Sequence, residues 1–447
     1  MTVAPYAPPP VRGFQTFLKL WASQGVSSLG SAAAWFSLTI YLAQTLYPLP
    51  SQRPELALGL AMLGVSGGLP ALVAVPLAGI WADRADRRLT MLTCDLLSGL
   101  LALLTAFLML RGLLPLWGLL GVSALTSLLG SFHGSAFDTS YGTLVGPVQL
   151  PRANGMMQTL WSLSGLLAPA LAALLIAASG GVPLALAIDG LSFWLAGAVL
   201  WRLRFPAVLR QDDANQGNSA RSFRDDLTFG WRYILARPPL LMLLLTFAAV
   251  NFSWSPLQVF DTLLLKGQLS ADLSAHGLDF TAGLALFSTL SAVGGVAGGV
   301  LVSAWGGLKR RRVLGVLVPV LLGSVALATL GLSSSLWVAA PALLALFFTG
   351  PFMNAHSQAI WQAQVPAEMQ GRVFSVRRLI AQFTSPVSVA LAGVLATHAA
   401  VGSLLLGLAA LVAAVALLQL LNPSLRKVED RAYLEALALR RTGRERH

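Results

Sequence analysis

Long stretches of the chain carry no charged side chain. Residues 113–137, 153–188, 239–260, 280–308, 313–367 and 379–425 contain no Asp, Glu, Lys or Arg. A helix crosses the hydrocarbon of a bilayer with ~20 apolar residues, so several of these runs hold two crossings and a turn. Cutting at turn signals predicts twelve membrane helices, over about 15–46, 56–82, 89–110, 115–142, 153–179, 183–204, 239–264, 280–305, 313–332, 336–362, 371–398 and 401–421. Lipid offers no partner to a bare peptide group, so each crossing must satisfy its backbone internally. The ~10-residue alternating segments of a membrane β-barrel are absent. The pattern is that of an all-α membrane protein.

Polar intervals divide the twelve. The longest, 206–238, opens with the linker-like run Gln211 to Ser219 and continues into Phe223, Leu227, Trp231 and Ile234 at helical spacing, an amphipathic helix for the membrane surface. The predicted plan is an N-terminal tail over 1–14, a six-helix bundle over 15–205, the linker over 206–238, a second six-helix bundle over 239–421 and a basic tail over 422–447. The halves echo each other. Gly79 to Arg88 and Gly306 to Arg312 are Gly-led turns ending in basic clusters, and Val145-Gly146-Pro147 through Arg152 parallels Val365-Pro366 through Gly371-Arg372. Parallel six-helix repeats with a ligand site between them at mid-membrane are one transporter plan.

Composition agrees: 56% of residues are hydrophobic and 11% charged, against ~25% charged in soluble domains. The net charge of +12 raises nucleic acid as a partner, and its distribution argues against it. With the N-terminus inside, all of the 30 Lys and Arg except Arg53, Arg111 and Lys266 fall on the cytoplasmic side. That is the positive-inside bias, and a miscounted crossing would invert it, so both termini are expected in the cytoplasm. The basic residues are scattered over loops without a reading motif. The single cysteine, Cys94, excludes a disulfide framework and a Cys-based zinc site. Met1 to Gly13 is proline-rich and has no basic n-region, so the first crossing is expected to be an uncleaved anchor in the cell (inner) membrane.

The turn Gly79-Ile80-Trp81-Ala82-Asp83-Arg84-Ala85-Asp86-Arg87-Arg88 resembles the G-x-x-x-D-R-x-x-R-R/K signature of the major facilitator superfamily. Pro151-Arg152-Ala153-Asn154, Asp189-Gly190-Leu191-Ser192-Phe193 and Gly230-Trp231-Arg232-Tyr233 are similar to its drug and siderophore exporters, the macrolide-efflux type in particular. So is Gln364-Val365-Pro366 through Gly371-Arg372-Val373-Phe374-Ser375, with Pro386 and Gly393 after it. The resemblance implies two pseudo-symmetric six-helix bundles that export amphipathic small molecules in exchange for protons by alternating access. It also implies a cytoplasmic latch at Asp83 with Arg84, Arg87 and Arg88, carboxylate against guanidinium. A monomer without cofactor is the expected working unit. Two positions depart from the exporters. Ser31 follows Ser27-Ser28-Leu29-Gly30 where they often carry an acid, and Leu96, Leu97 and Ser98 follow Asp95 where they commonly carry an Arg.

An acid inside a crossing is costly and is a functional candidate by default, which selects Asp189, Asp138 and Asp95 for proton coupling. His133 and His356 lie in crossings four and ten. Imidazole titrates near neutral pH, but neither has a second His or carboxylate at i+3 or i+4, so no metal site is expected. Polar-aromatic faces recur at Asn251, Trp254 and Gln258, at Asn354, Gln358 and Trp361, and more loosely at Gln24, Ser28 and Trp35. Such faces line a watery cavity that suits bulky, partly apolar ligands, or else hydrogen-bond between helices. Gly64-Val65-Ser66-Gly67-Gly68 spells a hydrolase elbow but falls inside a membrane helix. No Walker loop or HExxH is present, so ATP-driven transport and metalloprotease activity have no basis in the sequence, and a transporter rather than an enzyme is expected. Two rival readings stand beside the exporter: a nutrient importer or uniporter of the same fold, and a membrane-embedded lipid enzyme acting through Ser66.

Overall fold

The computed structural model describes residues 13–145, 149–203 and 223–442. They fall in two compact units, 1–212 and 213–447. In the first, α1 (Gly13–Tyr41) ends in a π-helical turn (Leu42–Leu46) and is followed by α2 (Arg53–Arg84), α3 (Arg87–Leu110), α4 (Leu116–Leu144), α5 (Leu150–Ser179) and α6 (Pro183–Arg202). The second holds α7 (Phe223–Leu235), α8 (Pro238–Trp254), α9 (Leu257–Lys266), α10 (Ser270–Ala275), α11 (Phe280–Trp305) and α12 (Arg312–Leu332). It continues through α13 (Leu336–Gln364), α14 (Ala367–Ala396), α15 (Val401–Leu421), α16 (Pro423–Arg426) and α17 (Arg431–Thr442). Eleven stretches of the described residues are long and apolar enough to cross a membrane, so the chain is a multi-pass, all-helical membrane protein. The segment expected to be one further crossing, 371–398, lies in α14, where the apolar helix Phe383–Ala396 is shorter than those eleven. The linker-like run expected over 211–219 and most of the tail over 1–14 lie outside the described residues.

Local chemistry sets the ends. Pro54, Pro151, Pro183 and Pro238 sit in first turns, where a missing N–H breaks no helical bond. Asp86 Oδ1 accepts the Leu89 N–H at 3.0 Å to cap α3, and Asp279 Oδ1 accepts the Ala282 N–H at 2.7 Å to cap α11. Gly180 and Gly306 close α5 and α11 at φ 72° and 80°, a left-handed turn that costs glycine nothing.

The seventh crossing differs from the single helix expected over 239–264. Pro256 has no N–H to give, so α8 stops at Trp254 and α9 begins at Leu257. Asn251 and Trp254 therefore stand on one helix and Gln258 on the next, which breaks the common face drawn from an unbroken i, i+3, i+7 spacing.

The two units repeat one packing plan. In the first, α2 packs on α4, α3 on α4 and α6, and α1 on α5 and α6. In the second, α11 packs on α13, α12 on α13 and α15, and α8 on α14 and α15. Substituting α11, α12, α13, α8, α14 and α15 for α2, α3, α4, α1, α5 and α6 maps one set onto the other. Glycines bring the backbones together at matching interfaces. A Cβ on Gly190 of α6 would lie 2.9 Å from the Gly99 carbonyl of α3, and one on Gly331 of α12 would lie 2.8 Å from the Gly402 carbonyl of α15. Without a hydrophobic drive between helices in lipid, such close van der Waals packing holds a bundle together.

The second unit also has a base. Tyr233 and Ile234 of α7 and Leu434 of α17 are buried in one core with Ile360, Trp361, Val373 and Val376. The Tyr233 hydroxyl donates to the Gln364 carbonyl at 3.0 Å, and Arg441 Nη1 donates to the Leu235 carbonyl at 3.1 Å. The surface helix and the segment expected to be a plain basic tail are thus both seated on this unit.

Gly190→Leu should lower the unfolding temperature by several degrees in detergent, because overpacking a core costs ~1–3 kcal/mol. Gly121→Leu, where a Cβ meets nothing within 4 Å, is the comparison and should melt with the wild type. Equal melting of the two variants would refute the contact.

Candidate functional site

Three helices of the first unit bring polar side chains together inside the bundle. Asp95 of α3 is 1% exposed. Its Oδ2 accepts a hydrogen bond from Gln24 Nε2 of α1 at 3.0 Å, and its Oδ1 stands 3.2 Å from His133 Nε2 of α4. The latter is ion-pair distance without hydrogen-bond alignment, and neither atom has another hydrogen-bond partner among the described residues. His133 is 19% exposed and stacks on Phe137 at 6.3 Å. Asp95 lies eight residues into α3, about 12 Å along its axis at 1.5 Å per residue. An imidazole and an amide thus reach this acid from two other helices. Asp138, five residues beyond His133 on α4, is exposed.

Asp189 of α6 forms a second centre. It is buried, and its Oδ1 accepts a hydrogen bond from Ser31 Oγ of α1 at 2.9 Å. Gly30 permits this contact, since a Cβ there would lie 3.1 Å from the same oxygen. A carboxylate in place of the Ser31 hydroxyl would face Asp189 with like charge, whereas the hydroxyl donates to it. Trp35 lies one turn further along α1 and lines a cavity with Asp189, while Ser28 is half-buried.

The basic turn is built from helix caps. Arg87 Nε donates to the Ala82 carbonyl at 3.1 Å, near the end of α2. Arg88 Nε donates to the Leu200 carbonyl at 2.9 Å and its Nη2 to that of Trp201, near the end of α6. A cation at a helix C-terminus offsets the unpaired carbonyls and the negative end of the dipole. The side chains of Asp83 and Arg84 lie outside the described residues, so the latch expected of them has no geometry here. Gly79 faces open space, with nothing within 4 Å of a Cβ.

In the second unit the candidates separate. His356 is buried with both ring nitrogens engaged. Nδ1–H donates to the Phe352 carbonyl at 2.7 Å and Nε2 accepts the Leu308 N–H at 2.8 Å, which fixes the neutral tautomer. The ring lies against Gly307, at φ 70°, and Gly315, pinning the turn between α11 and α12. Trp254 packs against Phe347 at 5.9 Å and lies close to Gly323 and Gly350. Asn251 is half-buried and Gln258 exposed. Asn354 is exposed and donates back to the Gly350 carbonyl at 3.1 Å. Gln358 Oε1 accepts from Arg377 Nη1 at 2.7 Å, and the same guanidinium lies 5.4 Å from the ring of fully buried Trp361.

Two residues were missed in the sequence. Arg377, which the charge count places only on the cytoplasmic side, faces Gln358, Ser357 and Trp361. Asp261 of α9 is 9% exposed, and its Oδ1 has no hydrogen-bond partner among the described residues. It falls inside the crossing predicted over 239–264, so the rule that selected Asp189 selects it as well.

Residues 20–389 match the family model described as Major Facilitator Superfamily. Macrolide efflux protein A of Streptococcus pyogenes is 24% identical over 421 residues, covering 92% of this chain and 97% of that protein. The multidrug efflux pump Tap of Mycolicibacterium fortuitum is 24% identical, covering 83% and 89%. Among solved structures, the nucleoside transporter NupG superposes with a TM-score of 0.64 at 10% identity, covering 90% of this chain and 98% of that one. A bacterial homologue of the lysosomal transporter Spinster superposes with a TM-score of 0.61 at 16% identity, covering 96% of each chain.

His356→Leu should lower stability by about 1 kcal/mol, the low end of the cost of stranding a donor, because the Leu308 N–H that loses its acceptor is half-buried. Thermal unfolding reads this directly. The pH profile of transport below the melting range should stay that of the wild type, and a shifted profile would assign His356 a titrating role instead.

Proposed function

The chain belongs to the Major Facilitator Superfamily, and we propose that it is a proton-coupled exporter of amphipathic small molecules with both termini in the cytoplasm. The observation that carries this reading is the Asp95–His133–Gln24 cluster, a buried carboxylate with an imidazole beside it and an amide tether. Similarity to efflux proteins over most of the chain supports the direction.

The coupling works through what a proton does to Asp95. As a carboxylate, Asp95 holds the Gln24 amide of α1 and attracts His133 of α4, so three helices share one charge. A proton arriving through the more exposed imidazole neutralises the acid. The charge-assisted hold on both neighbours then weakens, since hydrogen bonds to an ionised group are about twice as strong as neutral ones. Helices α1 and α4 are released relative to α3, which biases the bundle between two arrangements. Asp189 is the second carboxylate of the same unit, and Arg377, Gln358 and Trp361 are the polar-aromatic group of the other.

Reconstitution into proteoliposomes tests the coupling. An imposed proton gradient should accelerate export by the wild type, while Asp95→Asn should lose about tenfold or more of that acceleration and still bind substrate. A gradient response equal to wild type in Asp95→Asn overturns the role of the cluster. Substrate accumulation in the direction of proton entry, without exchange, would establish the importer instead.

A further inference from the structure

Helices α7 and α17 carry apolar rows on two sides, and the protein covers only one side of each. On α7, Tyr233 and Ile234 enter the core of the second unit, while Trp231 and Leu235 are 40% and 47% exposed at i and i+4. On α17, Leu434 and Ala438 are buried, while Ala432, Ala436 and Leu439 stand exposed at i, i+4 and i+7. A surface helix in water turns polar residues outward, so these outward rows gain nothing from water. The bond from Arg441 Nη1 to the Leu235 carbonyl joins the ends of the two helices. Leu235 stands three residues before Pro238, where a membrane crossing begins with α8. Trp231 is one turn earlier, about 6 Å along the axis. The joined ends, Leu439 with them, therefore lie at the level of the bilayer surface.

Positive charge borders the rows. Residues 228–237 carry two arginines and no acid, and residues 436–447 carry four arginines and one acid. Arg232 and Arg440 are exposed, and neither side chain has a hydrogen-bond or ion-pair partner among the described residues. By contrast, Arg237 lies 3.7 Å from the Tyr233 ring centroid, and Arg431 pairs with Glu435 at 3.2 Å.

We propose that the outward faces of α7 and α17 form one docking surface for anionic phospholipid. Trp231, Leu235 and Leu439 enter the boundary between headgroup and acyl chain, the depth that interfacial helices reach. Indole suits that boundary, since its body is apolar and its N–H can meet water or a headgroup. Arg232 and Arg440 take lipid phosphate, which a guanidinium binds through paired N–H donors. A basic side chain beside an anionic leaflet gains about fivefold in partition, and a zwitterionic leaflet offers no such gain. The two features select the occupant together. Hydrocarbon alone would strand the arginines, and water alone would leave the apolar rows bare. The bilayer surface offers apolar depth and a layer of phosphate at the level where these helices sit. Docking there also fixes where α8 enters the membrane, because only Ala236 and Arg237 separate it from α7.

Quenching of Trp231 by brominated lipid tests the surface. Full-length protein is reconstituted in phosphatidylcholine vesicles that contain increasing fractions of acyl-brominated phosphatidylglycerol or acyl-brominated phosphatidylcholine. The Trp231 signal is the difference between the wild type and Trp231→Phe. Half-quenching should need about tenfold less of the brominated phosphatidylglycerol, and added salt should narrow that ratio. The double variant Arg232→Gln, Arg440→Gln should be quenched equally by the two lipids. It should melt with the wild type, because neither arginine has a partner to lose. Absence of Trp231 quenching by either lipid overturns the proposal, as does equal quenching by both in the wild type. A preference for phosphatidylglycerol that survives in the double variant overturns it as well. Loss of quenching on adding polyglutamate at constant ionic strength would give the surface to an acidic polypeptide instead.

Discussion

A polar group held within hydrocarbon has to find its partner in the protein, because the surroundings supply none. Most of the described architecture follows from that constraint. Backbone groups are satisfied by helices, and the carbonyl ends at α2 and α6 are met by Arg87 and Arg88. Each unit then gathers its buried polar side chains inward. Asp95 meets Gln24 and His133, Asp189 meets Ser31, and His356 spends both ring nitrogens on backbone. Where helices themselves must touch, glycine faces glycine across α3–α6 and again across α12–α15.

The same constraint ranks the polar groups. His356 has both ring nitrogens bonded to backbone and immobilises a turn. Asp95 instead joins three helices through one carboxylate. Asp189 is held by Ser31 and lines a cavity inside the first unit.

The helices were legible in the sequence because apolar length is a one-dimensional property. The predicted crossings 280–305, 313–332 and 401–421 match α11, α12 and α15 to within a residue. The pairings were not legible. Ser31 and Asp189 are 158 residues apart, and Gln24 and Asp95 are 71 apart, so only tertiary packing brings them together. Asp95, His133 and Gln24 were each marked separately, and their convergence was the missing fact. The break at Pro256 was readable, since a proline without an N–H within a predicted crossing is a local signal. The partners of Arg377 were not legible, because positive-inside counting assigns a side of the membrane and not the face of a helix.

The docked helix α17 has a consequence in time. Leu434 completes a core that begins at Tyr233 and Ile234, about two hundred residues earlier in synthesis. Until that leucine leaves the ribosome, the underside of the second unit is an open apolar surface beside the translocation machinery. The order of translation thus makes α17 the step that closes this core, and a nascent chain arrested before it would present the quality-control machinery with an unfinished floor.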